Sequence, residues 1–403
     1  MEADGPTTRS RSEAYAECQG VLAHTSATTA APRSSAPPTV SVRGSEATYR
    51  ASGQLPRAST RRRRCGSIPS MSNSVADVYA RCTDDPEGHG RETTVFDAIL
   101  AKISPRSEVL RLLPHRERRM VGAWCFVDLY GPRPVKPGDG DAMHVAPHPH
   151  TGLQTVSWLV AGEVTHRDSM GTTAQVVPGR VAVMTAGDGI AHSEDVRPGA
   201  DDGVLHGAQL WIALPESERH RARDFVLHAP APFLEADGAL ARVFVGSLGG
   251  VTAGAQAYTP LVGAEVTRRG EGSARLPFEP AYEHVLVPLA GSATVEGTSV
   301  RHGQAMYLGV DRLGLELDLS PDARVLLLGG EPFAEEIVMW WNFVARTHDE
   351  VEQARAQWNA GGDPRFGEVE HYPTYERLAA PALPNVRLQP RGRVPSSAPR
   401  SDS

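Results

Sequence analysis

From about residue 94 the chain is cut into short apolar runs by Gly, Pro and Asp, roughly every 8–12 residues, a pitch that suits strands. Gln154 to Val160 is followed by Ala161-Gly162, and Glu163 to Asp168 by Met170-Gly171. Thr173 to Val177 then meets Pro178-Gly179 ahead of Arg180 to Thr185. No 3.6-residue periodicity intervenes, so the spacing predicts an antiparallel sandwich or barrel. After a further strand at Leu205 to Leu214, the texture returns at His284 to Leu289, Ser292 to Glu296, Gln304 to Leu308 and Arg324 to Leu328. Two similar β units in tandem imply a duplicated all-β fold. Only Asp349 to Trp358 has the composition of a helix, with Thr347 as its expected N-cap.

The head of the chain is different. Of residues 1–70, 41 are Ala, Gly, Pro, Ser or Thr, too little apolar surface to offset the entropy of ordering, so this stretch is expected to be disordered. Its closing run, Arg61 to Arg64, reads as a solvated tail, with a nuclear address or a polyanion contact as the sharper alternatives. An organelle transit peptide and a translation start at Met71 are further options. The expected order is a disordered extension at 1–70, a first β domain at 71–229, a second with the terminal helix at 230–375, and a loose Pro- and Arg-rich tail at 376–403.

No stretch approaches the roughly 18–20 apolar residues of a membrane helix. The net charge of −7 hides a split: residues 1–70 carry ten Arg and five acidic groups, and the remainder 31 basic and 43 acidic. An acidic body repels a phosphate backbone, so the folded part is not expected to bind nucleic acid. Four cysteines without C-x-x-C spacing fit a reducing, cytoplasmic setting better than a disulfide scaffold.

The chemistry concentrates in His148-Pro149-His150. Side chains two apart on a strand share a face, so both imidazoles aim the same way. Forty-two residues past His150 comes a second period-2 pair, His192-Ser193-Glu194, just after a turn holding Gly187 and Gly189. Two strands each presenting two ligands inward would build a site of three neutral imidazoles and one carboxylate. That set favours a borderline first-row divalent metal. A six-coordinate ion such as Fe²⁺ would keep about two positions for a substrate oxygen and dioxygen, and its residual charge would suit an enolate or catecholate; Mn²⁺, Ni²⁺, Cu²⁺ and Zn²⁺ are not excluded by ligand type. Gln154 is expected to hydrogen-bond near the metal without ligating it. His166 sits on a strand and reads as a structural histidine, with facing the site as the alternative; His144 and His206 read as structural or surface, and Trp340-Trp341 as core packing. In the second unit His284 and His302 are isolated, so that unit reads as structural or as a partner surface.

The stretch HPHTGLQTVSWLVAGEVTHRDSMGTTAQVVPGRVAVMTAGDGIAHSE, with LHGAQLWIALP and MWWNFVART further on, closely resembles the pirin family of the cupin superfamily over about residues 94–375. The resemblance implies a bicupin, two jelly-roll-like β-barrels of which only the first holds metal. It implies non-haem iron on His148, His150, His192 and Glu194, and an activity like that of quercetin 2,3-dioxygenase on a flavonol or related enol with O₂, Glu194 serving also as base. The alternative it implies is a metal- or redox-responsive regulator acting through protein partners. Many relatives carry Glu where this chain has Gln154, which removes any proton transfer relying on a carboxylate there.

Overall fold

The computed structural model describes residues 92–104, 107–135, 144–196, 203–370 and 377–393. The expectation of disorder at 1–70 falls outside them. The described chain is β-rich, with one helix at His348–Ala360. Thr347 caps this helix, its Oγ1 accepting the Glu350 N–H at 3.2 Å.

The first unit pairs a seven-stranded antiparallel sheet with a four-stranded one, and the second an eight-stranded with a four-stranded one. Valines and leucines fill each gap between sheets: Val109, Leu159 and Leu205 meet Val164 and Val176 in the first. Val262, Leu286 and Leu327 meet Val295, Val300 and Leu317 in the second. This is the expected all-β bicupin, but as sandwiches of open sheets. Among the described residues no ladder closes into a barrel, since strands Asp224–Pro230 and Ile99–Ser104 stand at opposite edges of the seven-stranded sheet.

The two large sheets also share a core. Trp124, Val156, Trp158 and Leu210 of the first unit pack with Phe244, Val285, Leu326 and Leu328 of the second. Trp158 stacks on Phe244 at 4.7 Å, and the Trp124 indole N–H donates to the Val262 carbonyl at 3.1 Å. Burial on both faces explains why Val204–Ala213 reads as an almost unbroken apolar run rather than an alternating one.

Two segments depart from the expected division. Thr93–Asp97 pairs with Gln304–Leu308 of the second unit before the chain enters the first. The tail expected to be loose from 376 is seated against the body over 377–393. The Asn359 side chain bonds the Ala380 backbone in both directions, at 3.0 and 2.9 Å, and Ala380 is buried. Pro-rich composition hides such a seat because the partners are side chains of the helix, remote in sequence.

Candidate metal centre

Three adjacent strands of the first unit's small sheet carry the site. Ile190–Val196 lies between His144–His150 and Val164–Asp168. His192 stands opposite His148 on one side and Asp168 on the other, while Glu194 stands opposite His166. A bulge between His192 and Glu194 shifts the register against His144–His150. Period-2 alternation then turns His148, His150, His192, Glu194, His166 and Asp168 to one face. All six are buried.

Two glycine turns set the ends of these strands. Gly152, after His150, has φ +68° and its missing Cβ would lie 2.2 Å from the Val344 carbonyl oxygen. Gly187, before His192, has φ +54° and a Cβ there would lie 2.0 Å from the Arg221 carbonyl oxygen. The Gly152 N–H donates to the Gly187 carbonyl at 2.8 Å, so the two turns brace each other. Only glycine fits both the conformation and the space.

The ligand-type atoms of His148, His150 and His192 all lie within 4.8 Å of one another, and those of His166, His192 and Glu194 form a second such group sharing His192. His150 Nε2 and His192 Nε2 are 3.1 Å apart. Two nitrogens bound at right angles to one first-row ion, at about 2.1 Å each, would sit about 3.0 Å apart. His148 Nδ1 donates to the Ala146 carbonyl at 2.9 Å, which leaves its Nε2 as a lone pair. This donor set fits a divalent transition metal. His166 lies behind His192, against its Nδ1 at 3.4 Å. It stacks on Phe225 with centroids 4.0 Å apart.

The electrostatics match ligands rather than charged groups. Burial pushes His148 down to about 4, and burial followed by the neighbouring imidazoles holds His150 and His192 well below the usual histidine range. All three are neutral at pH 7, as metal binding requires. Burial lifts Glu194 up to about 7 against a hydrogen bond from Ser157 Oγ at 3.4 Å, and a neighbouring cation would favour its ionised form. Burial also raises Asp168, but bonds from His166 and the Met170 and Thr172 N–H groups outweigh it and leave that carboxyl below its ordinary value.

His148, His150 and Glu194 open onto a cavity of about 240 Å³. Phe126 and Trp211, stacked at 3.9 Å, supply a flat wall with Tyr130 and Trp341. Arg111 grips Asp128 through two bonds of 2.8 and 2.7 Å, so this wall carries a neutralised pair rather than a free charge.

The Pirin family profile matches residues 106–212 and the Pirin C-terminal cupin domain profile residues 264–367. A Pseudomonas aeruginosa protein named "Putative quercetin 2,3-dioxygenase PA1205" is 44% identical over 301 residues, 75% of this chain and 94% of its own length. The chain belongs to the pirin family. A Caulobacter vibrioides "Pirin-like protein" is 36% identical, covering 66% of this chain and 93% of the relative. A solved quercetin 2,3-dioxygenase of Acinetobacter baumannii superposes with a TM-score of 0.69 at 39% identity, covering 73% of this chain and 97% of that one.

Several sequence readings change in this pirin. Gln154 does not serve the imidazoles: its Nε2 donates to Thr185 Oγ1 at 3.0 Å and to the Gln256 carbonyl at 3.1 Å. The contact to Glu194 comes instead from Ser157, three residues on. Trp340 and Trp341 pack against the core of Phe343 and Trp358 as expected, and Trp341, half-buried with a left-handed φ of +51° that is rare for a bulky side chain, also lines the cavity. His144 pairs with Asp195 at 2.5 Å and His206 contacts the Leu289 carbonyl at 3.2 Å, both structural roles. Asp168 joins the face of the imidazoles through the period-2 pair His166-Arg167-Asp168, its carboxylate 3.1 Å from His166 Nε2. No helix among the described residues is long and apolar enough to cross a membrane.

Proposed function

We propose that this protein is an Fe²⁺-dependent dioxygenase acting on a flavonol or a related enol, with His148, His150, His192 and Glu194 holding the ion. The carrying observation is that these four side chains share one inward sheet face and three of them border an aromatic cavity. Bound there, a ferrous ion would supply the Lewis-acid and redox chemistry for joining an ionised enol to dioxygen. The chain's own contribution is positional. Trp211, backed by Phe126 at 3.9 Å with the Arg111 guanidinium over the Phe126 ring, offers a flat aromatic element against which a planar ring would pack. The Arg111–Asp128 pair gives the wall polarity without net charge, which suits a neutral phenolic substrate.

Glu194 is the group placed to take the hydroxyl proton. Burial lifts its carboxyl to about 7 in the metal-free site, and a bound cation would draw it to the ionised form that accepts a proton. Ser157 Oγ has one hydrogen for two acceptors, Gln209 Oε1 at 2.8 Å and Glu194 Oε1 at 3.4 Å, so the shorter bond to Gln209 takes most of it and Glu194 keeps lone pairs free. A cavity reaching the imidazoles favours catalysis over the regulatory reading, in which the centre would be sealed. Metal analysis of protein purified without added metal, followed by oxygen uptake with quercetin and smaller enols, tests the reading. Stoichiometric iron and turnover above that of free iron are expected; no turnover across the series would overturn it.

A further inference from the structure

We infer that Asp168 and His166 are positioning residues that set the tautomer of His192, and through it the lone pair offered to the metal. The inference rests on the metal-centre reading above. Three side chains stand in line: Asp168 Oδ2 lies 3.1 Å from His166 Nε2, and His166 Nδ1 lies 3.4 Å from His192 Nδ1. Each neutral imidazole has one N–H and one bare nitrogen, so the proton on any member dictates the next.

The chain is anchored at the carboxylate. Asp168 Oδ1 accepts the Met170 N–H at 2.8 Å and the Thr172 N–H at 3.2 Å, and the group is acceptor-only when ionised. His166 must therefore carry its proton on Nε2, where it donates to Asp168 Oδ2. His166 Nδ1 is then bare and accepts the N–H of His192 Nδ1. His192 Nε2 is left as a lone pair that, in metal-free protein, accepts the N–H of His150 Nε2 at 3.1 Å; an arriving ion would take that lone pair and displace the His150 proton to its unpartnered Nδ1. Burial of all three side chains keeps water from supplying an alternative partner. A carboxylate or carbonyl behind a ligating imidazole is a common device; here a second histidine extends it by one link.

The two backbone bonds make the relay testable by a single atom change. In Asp168→Asn the amide oxygen must take the place of Oδ1, because Met170 and Thr172 present only donors there. The amide NH₂ then faces His166 Nε2 and donates to it. His166 is forced to carry its proton on Nδ1, His192 Nδ1 becomes the acceptor, and His192 Nε2 acquires the proton that blocks it as a ligand. Shape and volume are nearly unchanged, so the fold is retained.

The test has two arms. In metal-free protein, ¹⁵N NMR of the histidine rings should show His192 protonated on Nδ1 in the wild type and on Nε2 in Asp168→Asn. In cobalt(II) titrations followed by the visible ligand-field bands, Asp168→Asn should bind about 10–100-fold more weakly, while the metal-free melting temperatures stay close. His166→Phe, which removes the link without reversing it, should fall between the two. A wild-type His192 protonated on Nε2, or unchanged cobalt affinity in Asp168→Asn, would overturn the relay. Failure of the wild type to bind cobalt would instead refute the metal-centre reading, and the NMR arm would still decide the relay.

Discussion

The Leu378 N–H donates to the Pro147 carbonyl at 2.9 Å, tying the C-terminal segment to the residue just ahead of His148. The Trp358 indole N–H holds the Leu378 carbonyl from the other side at 2.7 Å. Leu378 is thereby fixed as part of the cavity wall. Leu378→Ala is expected to weaken quercetin binding to metal-loaded protein about fivefold, the loss of roughly 1 kcal/mol of apolar contact. Metal content should not change, because the backbone bond is retained. Equal quercetin affinity in both proteins, by fluorescence titration, would remove Leu378 from the binding wall.

Metal removal follows a simple ranking. His150→Ala and His192→Ala are each expected to lose stoichiometric metal, and oxygen uptake with it, because each supplies one of the two closely apposed Nε2 atoms. His284→Ala should keep its metal: that ring is packed on Phe278 at 3.8 Å in the second unit, away from both imidazole groups. Elemental analysis of the three variants checks this, and full metal in His192→Ala would break the ligand assignment.

How much of this was legible depends on distance along the chain. Two-residue spacing put His148 with His150 and His192 with Glu194, because alternation on a strand is local physics. That the two pairs meet was inferable only from their chemistry. The sequence does not encode in any short window that Val164–Asp168 is the third strand, so His166 read as structural and Asp168 was missed. The bulge between His192 and Glu194 is equally silent in the letters. Trp341 packs against a core as its letters suggest, but its second role in the cavity wall depends on the hairpin between Val338–Trp340 and Phe343–Ala345, which no short window shows. The near-continuous apolar runs, by contrast, did hold the information that the large sheets are covered on both faces.

Acid should unfold the protein through its buried imidazoles. His284 is pushed down to about 3 by burial and by the Arg312 charge, from an ordinary 6.5. Between those values the unfolded chain binds a proton that the native one does not. Stability therefore rises with pH through the window and is lost as pH falls below about 6.5, by up to about 1.4 kcal/mol per pH unit. In His284→Gln the acid limb of the melting-temperature profile should be shallower by as much as one proton. An identical limb would mean that His284 is protonated in the native state.

Glu283, in the contact between the two units, is fully buried. Its Oε1 accepts the Gly122 N–H at 2.8 Å, from the first unit. Its Oε2 accepts the Tyr307 hydroxyl at 2.8 Å and Arg393 Nη1 at 2.6 Å, from the second unit and the seated tail. Three donors converge on two acceptor oxygens. In Glu283→Gln one oxygen becomes an NH₂, which faces either the Gly122 N–H or the Arg393 guanidinium, and neither can accept. At least one buried donor is left unpaired and one charge uncompensated. The expected loss is about 2–3 kcal/mol, or several degrees in melting temperature. Arg393→Ala should cost less, since that side chain is one-third exposed and solvent replaces part of what is lost. Combining the two should cost less than their sum, because both remove the same bond. Strict additivity in thermal melts would show that Glu283 and Arg393 act independently, and that the tail's end contributes nothing through this carboxylate.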